Sequence, residues 1–328
     1  MTQDPALAIA IDVGGTKTAA ATVDATGTLV RPKAKRPTPA HAGSEAVLDV
    51  IAGSITTQYE RLDASRLAGI GIGTAGGVDT TTGRIVSSSD TFTGWLGTDV
   101  IAGLRARLPW AADLPIHVQN DVDAHAVGES WRGAGAGAAS LLMLAVGTGI
   151  GAAHCVDGQV LRGAHSMAGE VGRLRIVPGD GLDLHPEPGP HTFENEAAGP
   201  AILHAYRVRG GPGEAARGQH VMKLARAGDP IAAEVVRTLG RRVGRVLSWL
   251  VLVLDPEVVV LGGGVPVRGS AWWDALESEL RAGLPDAVAD LPVKRAQQRN
   301  DAALLGAARD AFRLAGVATT DVPEEEPA

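Results

Sequence analysis

The chain has 328 residues, 45% of them hydrophobic and 20% charged, with a formal net charge of −7. That length and balance suit a soluble globular protein of two ordinary domains, and the acidic balance excludes a general nucleic-acid binder, which carries a basic surface. Its single cysteine, Cys155, excludes an internal disulfide and a cysteine-rich zinc site and fits a cytosolic location. In chain order, the pattern predicts strands at Ala6–Asp12, Thr18–Val23 and Thr28–Lys35, then a helix over Ser44–Arg61 with Ser44 as its cap. A buried strand follows at Leu67–Gly73, a helix within Gly97–Leu108, a strand at Pro115–Gln119 and a helix at Asp121–Arg132. From Ser140 the opening plan repeats: apolar strand, Gly/Thr turn, apolar strand, Asp-Gly turn, strand, with Thr148 where Thr16 stood. Helices are expected at Pro200–Arg209, His220–Ala227 and Pro230–Leu254, a strand at Val258–Leu261, and a last helix, Asp301–Ala315, packing back onto the first lobe. The order is that of an α/β protein.

The ends of the chain add little. The N-terminus lacks the basic-then-apolar run of a signal peptide. The most apolar stretch, "VLSWLVLVLDPEVVVLGGG", is interrupted by Asp255-Pro256 and Glu257 and reads as helix, turn and strand rather than a membrane span. The acidic end, residues 319–328, reads as disordered.

Three glycine-rich loops follow apolar strands: Asp12–Thr18, Gly147–Gly151 and Gly262–Gly264. Backbone amides in such turns cradle phosphate oxygens without a basic side chain, so three of them point to a nucleotide; three ordinary turns are the alternative. In "AIAIDVGGTKTAAATVDATGTLV" the Asp12 carboxylate beside Gly14 and Gly15 needs a cation, a donor or solvent. It reads either as a hairpin that meets an anion together with a metal or as a plain turn with a solvated Asp. No G-x-x-x-x-G-K-[ST] is present, which excludes a P-loop. A G-x-G-x-x-G occurs at Gly71–Gly76, but "GVDTTTGRIV" after it reads as a hairpin, and a dinucleotide site needs a helix N-terminus there. In "VQNDVDAHAVGE", Asn120 and Asp121 stand between a strand and a helix. A carboxylate in that place can take the proton of a hydroxyl attacking phosphorus, or it can simply cap the helix.

Taken together, "IDVGGTKTAAATVD", "GIGIGTAGGVD", "TGW", "QNDVDAHAVGE", "LAVGTGIGAAHCVDGQVLRGAHSMAGEVG" and "DPEVVVLGGGV" resemble, in order and spacing, the ROK family of bacterial sugar kinases and related repressors. The resemblance runs from about residue 7 to 315. It implies the actin-like ATPase (ribonuclease H-like) fold: two similar α/β lobes around a cleft, here residues 1–120 plus 301–318 and residues 121–300. The repressors carry a DNA-binding helix-turn-helix ahead of the first Gly-Gly-Thr motif. Here that motif begins at residue 14, which leaves no room for one and implies a kinase with no nucleic-acid or membrane partner. By resemblance, Asp12 holds Mg²⁺ through water, and Gly14, Gly15, Thr16 and Lys17 lie along the ATP phosphates. Gly147, Thr148 and Gly149 hold the phosphates from the second lobe, and Gly263 and Gly264 approach the adenosine. Asp121 is the general base. Asn120, Gly76, Gly77, Asp90 and Glu170 line the sugar pocket, with Glu194 of "TFENEAAGPA" at the position of the family's sugar-binding Glu. ATP and Mg²⁺ are the implied cofactors, and a cytoplasmic homodimer is the implied assembly.

Two departures fall on the sugar side. The family's Glu-x-Gly-His and its three-cysteine cluster hold a structural zinc. Here Arg173 stands at the His position and "PGDGLDLHPEPGPHTFENE" has no cysteine; His185 and His191 read as exposed loop residues, a makeshift ligand pair being the alternative, and no structural zinc is expected. Arg173 is expected to pair with Glu170 or Glu194, or to meet a substrate carboxylate or acetamido oxygen. In "SSDTFTGW", Thr91 replaces the family's usual Asn, with Asp90 beside it. The expected activity is phosphoryl transfer from ATP to a hydroxyl, the 6-OH, of a hexose such as glucose or of an N-acetylhexosamine. A non-catalytic sugar sensor and a partner-dependent ATPase are the competing readings.

Overall fold

The computed structural model describes residues 4–31, 33–88, 91–177, 179–182, 184, 191–213 and 215–320. By compactness the chain divides into residues 1–139, 155–168 and 297–328 as one unit, and 140–154 with 169–296 as the other.

The first unit is built on a five-stranded sheet of order β3-β2-β1-β4-β7: β1 Leu7–Val13, β2 Lys17–Asp24, β3 Ala34–Pro37, β4 Leu67–Thr74 and β7 Ile116–Asn120. Strands β1, β2 and β3 form an antiparallel meander, while β4 and β7 run parallel to β1. Helices α1 Ser44–Tyr59 and α2 Val100–Arg107 supply apolar residues to one face of the sheet, where Ile9, Ile11, Val47, Ile51, Ile70 and Val118 form one core. A two-stranded hairpin, β5 Gly77–Asp79 with β6 Arg84–Ser87, follows β4. That is the hairpin expected after the G-x-G-x-x-G run. Helix α3, Asp121–Arg132, follows β7 directly.

The second sheet has the order β10-β9-β8-β11-β12: β8 Ser140–Val146, β9 Ile150–Val156, β10 Gln159–Val160, β11 Val258–Gly262 and β12 Val293–Arg295. It reproduces the first sheet's plan, with β11 parallel to β8 and β12 parallel to β11. Around it lie α4 Phe193–Ala197, α5 Gly199–Val208, α6 Gly218–Arg226, the 25-residue α7 Pro230–Leu254, and α8 Ala271–Ala282. The core here joins Leu142, Leu144, Phe193, Ile202, Val243 and Trp272.

The last helix, α9 Ala302–Leu314, packs on β1, β4 and α3 of the first unit. Its alanine face meets Ala8, Ala10 and Ala21 on the second face of the first sheet. Alanine and glycine are required there because the backbones approach closely. A Cβ on Gly71 would strike the Ala307 carbonyl, one on Gly128 the Ala302 carbonyl, and one on Gly306 the Ala124 carbonyl.

Three expectations change. The first unit continues to residue 139 rather than 120, because α3 lies along α9. The third strand starts at Ala34, not Thr28: the Asp24 carboxylate accepts hydrogen bonds from the backbone N–H groups of Thr26 and Thr28, which holds a turn and leaves Leu29 a single bridge to Val23. Helix α1 has Gly43 as its N-cap with no side-chain bond, so Ser44 is its first residue rather than its cap. Asp90, His185 and residues 321–328 of the expected tail lie outside the described residues.

Candidate functional site

The first unit gathers its expected site residues at the carboxyl ends of three parallel strands. The register pairs Val13 with Thr74 and Thr74 with Asn120, while Asp12 pairs with Gly73 one residue earlier, so Asp12, Thr74 and Asn120 lie within one residue of one another at the carboxyl end of the sheet. Loops beyond the carboxyl ends of parallel strands are where α/β sheets hold ligands. The Asn120 side chain does two tasks. Its Oδ1 caps α3, accepting from Val122 N–H (2.7 Å) and Asp123 N–H (3.2 Å), and its Nδ2 donates to the Gly76 carbonyl at 2.9 Å. Asn120, not Asp121, is therefore the helix cap. Asp121 becomes the first helical residue, its Oδ1 accepting from Val122 N–H at 2.9 Å. Gly76, with φ +100°, has a conformation few other residues adopt, and a Cβ there would strike the Ser87 carbonyl.

Asp12 is part of the same group. Burial pushes its carboxyl above the usual range, and the negative charge of Asp121 adds to that, while His125 and Lys17 oppose it. None of the described residues donates a hydrogen bond to it. A largely buried carboxylate lacking a donor, with a second carboxylate close by, fits a cation. The hairpin after it closes with Gly14 N–H donating to the Lys17 carbonyl at 3.1 Å. A Cβ on Gly15 would come within 2.6 Å of Thr91 Cγ2, so this turn sits against the residue that replaces the family's Asn. The Thr74 hydroxyl is buried with no partner among the described residues. His125 is a site neighbour the spacing did not single out. It lies one helical turn after Asp121, its Nδ1 is 2.8 Å from the Asp121 carbonyl oxygen, and its charge acts on Asp12.

Behind Asp121, the opposite side of α3 meets a buried ionic group. Asp123 Oδ2 lies 3.2 Å from Arg162 Nε, Arg162 Nη2 donates to Gln119 Oε1 at 2.7 Å, and Asp310 Oδ2 stands 3.3 Å from Arg162 and 3.5 Å from His117. Burial drives Asp123 up to about 7; Arg162 opposes the shift but is shared, and Asp310 and Asp121 reinforce it. Burial would raise Asp310 too, but His117, Arg313 and Arg162 hold it below the ordinary range. Because the Asp123 pKa is raised on folding, the folded chain keeps a proton between about pH 4 and 7 that the unfolded chain releases. Stability therefore falls as pH rises through that window, by on the order of a few kcal/mol. Asp310, lowered, contributes its pH dependence below that window. Asp123→Asn is expected to flatten the fall in melting temperature between pH 5 and 8; a variant falling as steeply as the parent contradicts the assignment.

The second unit carries the other expected residues. The β8–β9 turn closes with Gly147 N–H donating to the Gly149 carbonyl at 2.9 Å, and Gly199 N–H, at the start of α5, donates to the Gly147 carbonyl at 2.8 Å. Gly263 follows the parallel strand β11 with φ +87°; a Cβ there would strike the Val146 carbonyl, and one on Gly264 would come within 2.7 Å of Gln219 Nε2. The turn carrying Gly147, Thr148 and Gly149 and the turn carrying Gly263 and Gly264 thus lie side by side. Glu194 reaches the first of them, its Oε2 accepting from Ile150 N–H at 2.8 Å. Arg173, 58% exposed, donates through Nε to Glu170 Oε2 at 3.1 Å, the first of its expected partners. His191 departs from expectation: its Nδ1 lies 3.0 Å from Oε1 of the buried Glu196, so it is not a free loop residue.

A family model of the ROK family matches residues 8–311. The chain belongs to the ROK family. It is 30% identical to the glucokinase of Streptomyces coelicolor, over 92% of this chain and 96% of that one. The crystal structure of the ROK hexokinase from Thermus thermophilus matches with a TM-score of 0.78 at 33% identity, covering 94% of this chain and 98% of that one. A ROK family glucokinase from Streptomyces griseus, solved in complex with glucose and AMPPNP, matches at 0.76 and 30% identity over 94% and 99% of the two chains. The fold is the actin-like ATPase fold of these ROK kinases, in two lobes. Among the described residues no helix is long and apolar enough to cross a membrane.

Proposed function

We propose that this ATP-dependent sugar kinase transfers the γ-phosphoryl group of ATP to the 6-hydroxyl of a hexose such as glucose, or of an N-acetylhexosamine. The observation that carries the reading is the strand-end group in the first unit. The parallel strands end with Asp12 and Asn120 at the same end of the sheet, the charge of Asp121 acts on Asp12, and Asn120 rather than Asp121 caps α3. The Asp121 carboxylate takes the proton of the sugar hydroxyl as its oxygen attacks the γ-phosphorus, the bond to the bridging oxygen breaks, and ADP leaves.

The remaining amide hydrogen of Asn120 is available to a sugar hydroxyl, since its other donor and its oxygen are already engaged. The other residues proposed to bind the sugar are Gly76, Gly77, Asp90, Glu170, Arg173 and Glu194. Gly14, Gly15, Thr16 and Lys17 line the phosphates in one unit, Gly147, Thr148 and Gly149 in the other, and Gly263 and Gly264 meet the adenosine. Asp12 would hold Mg²⁺ through water, and that ion supplies neutralisation of charge on the phosphates. The chain's own part is positioning and hydrogen bonding. The enzyme works as a cytoplasmic homodimer and has no nucleic-acid partner. Exposed apolar residues Trp249, Leu252 and Val253 on α7 support the dimer.

The test is ADP release with Mg-ATP across glucose, mannose, fructose, allose, N-acetylglucosamine, N-acetylmannosamine and gluconate. Turnover on glucose or an N-acetylhexosamine is expected, with the product phosphorylated at the 6 position by NMR. ATP binding without turnover on any sugar would favour the sensor reading, and sugar-independent hydrolysis the ATPase reading.

A further inference from the structure

The zinc of the family does not fit this chain. Arg173 occupies the His position, the chain's one cysteine is the buried Cys155, and no group of three His, Cys, Asp or Glu side chains among the described residues could hold a metal ion. The segment that would need fastening is nevertheless tied down at several points. Its two arms run together, with Ile176 N–H donating to the His191 carbonyl at 2.9 Å and Phe193 N–H to the Leu174 carbonyl at 2.7 Å.

Besides the packing of Ile176, Leu182 and Leu184 in the core and the approach of His204 Nε2 to the Leu184 carbonyl at 2.8 Å, the segment meets Arg242, from the middle of α7. Its side chain is 1% exposed, as is that of Glu196. Nε donates to Asp180 Oδ2 at 2.6 Å and Nη2 to Asp180 Oδ1 at 2.8 Å, a parallel fork. Nη1 donates to Glu196 Oε2 at 2.6 Å and to the Glu196 carbonyl at 3.1 Å. Nη2 also donates to the Leu182 carbonyl. All five guanidinium donors are thereby used. The second oxygen of Glu196 meets His191, so one buried cation reaches Asp180, Leu182, Glu196 and, through it, His191. We propose that the Arg242 guanidinium fastens this segment in place of a structural metal ion, and that Arg242 is thereby a positioning residue for Glu194.

The chemistry favours this exchange. A permanent cation with donors in a fixed planar fork can satisfy two carboxylates and two carbonyls at once, which a lysine ammonium cannot. Without it, among the described residues, the buried Glu196 carboxylate would keep only His191 as a partner and the Asp180 carboxylate only the Leu182 N–H. Burial alone would raise the Asp180 carboxyl; the Arg242 hydrogen bonds and charge hold it below its usual range. Glu196 belongs to the single-turn α4, which also carries Glu194. Fixing Glu196 therefore fixes the backbone from which Glu194 reaches Ile150. This second half of the proposal rests on the sugar-kinase reading; the fastening does not.

Two variants test it: Arg242→Lys, which keeps the charge and loses the fork, and Asp180→Asn, which weakens one arm and leaves Glu196 paired. By hydrogen exchange, the amides of Ile176 and Phe193 are expected to exchange about tenfold faster or more in both, with β8 and β11 unchanged. The KM for the sugar is expected to rise about tenfold in Arg242→Lys and less in Asp180→Asn, while kcat and the KM for ATP stay within about twofold. Unchanged local exchange in both variants overturns the fastening, and so does one equivalent of zinc in protein purified without chelator or affinity tag. Faster exchange with sugar and ATP constants rising together overturns the positioning of Glu194. Absence of sugar turnover in the parent protein would defeat the kinase reading, and the exchange measurement would still decide the fastening.

Discussion

Asp121→Asn is expected to lower turnover by about 10²–10⁴-fold while leaving sugar affinity within a few fold. The asparagine keeps the shape of the carboxylate, and its side-chain oxygen can still accept from Val122 N–H. It cannot take a proton from the attacking hydroxyl. The helix start is secured independently, because the cap is Asn120, whose bonds to Val122, Asp123 and Gly76 do not involve Asp121. The loss should therefore appear in kcat rather than in KM or melting temperature. Sugar affinity measured by calorimetry beside steady-state kinetics separates the two. Turnover near that of the parent would remove Asp121 as the base and direct attention to Asp12, whose carboxyl feels the charge of Asp121, or to His125, whose Nδ1 lies 2.8 Å from the Asp121 carbonyl oxygen.

Gly306→Ala is expected to destabilise the first unit by about 3 kcal/mol or more, the upper end of what overpacking costs. The added methyl would strike the Ala124 carbonyl and lie 2.9 Å from Gly128 N. These atoms are helix backbone and cannot rotate away, so α9 must move off α3 as a body. Gly128 faces α9 in the same way, and Gly71 on β4 meets the helix from the sheet side. Denaturant unfolding followed by tryptophan fluorescence reads the effect, since Trp131 is buried in this core. A change below about 1 kcal/mol would show that the helices yield more readily than close packing implies.

Much of the fold was legible because the apolar runs end in turn signals at their correct places. The hairpin after Gly76 and the repeated strand plan from Ser140 are local patterns, and both sheets show them. The edges were less legible. The strand expected at Thr28 failed because the Asp24 side chain captures the turn amides, a contact that hydrophobic patterning does not register. At the site, Asn120 and Asp121 were both marked by their place between strand and helix, but which of them caps is decided by the backbone: Asn120 is still extended and reaches the N–H groups of Val122 and Asp123, while Asp121 is already helical. His125 had a signal available, its spacing of four from Asp121. Arg242 had none: its partners Asp180 and Glu196 lie 62 and 46 positions away. One arginine among many on a long helix does not announce its burial. The fork it makes depends on how α7 packs, which no local pattern contains.

The placing of α9 has a consequence for how the chain is made. The face of the first sheet that α9 covers presents Ala8, Ala10, Ala21 and Val23. Those strands are complete once β7 ends at Asn120, yet their cover begins only at Ala302. At about 5–20 residues per second, translation takes roughly 10–40 s to supply it. For that interval the N-terminal sheet leaves the ribosome with one apolar side bare. The small size of the alanines limits how sticky that side is, whereas leucine or phenylalanine at the same positions would have given nascent chains a surface on which to associate.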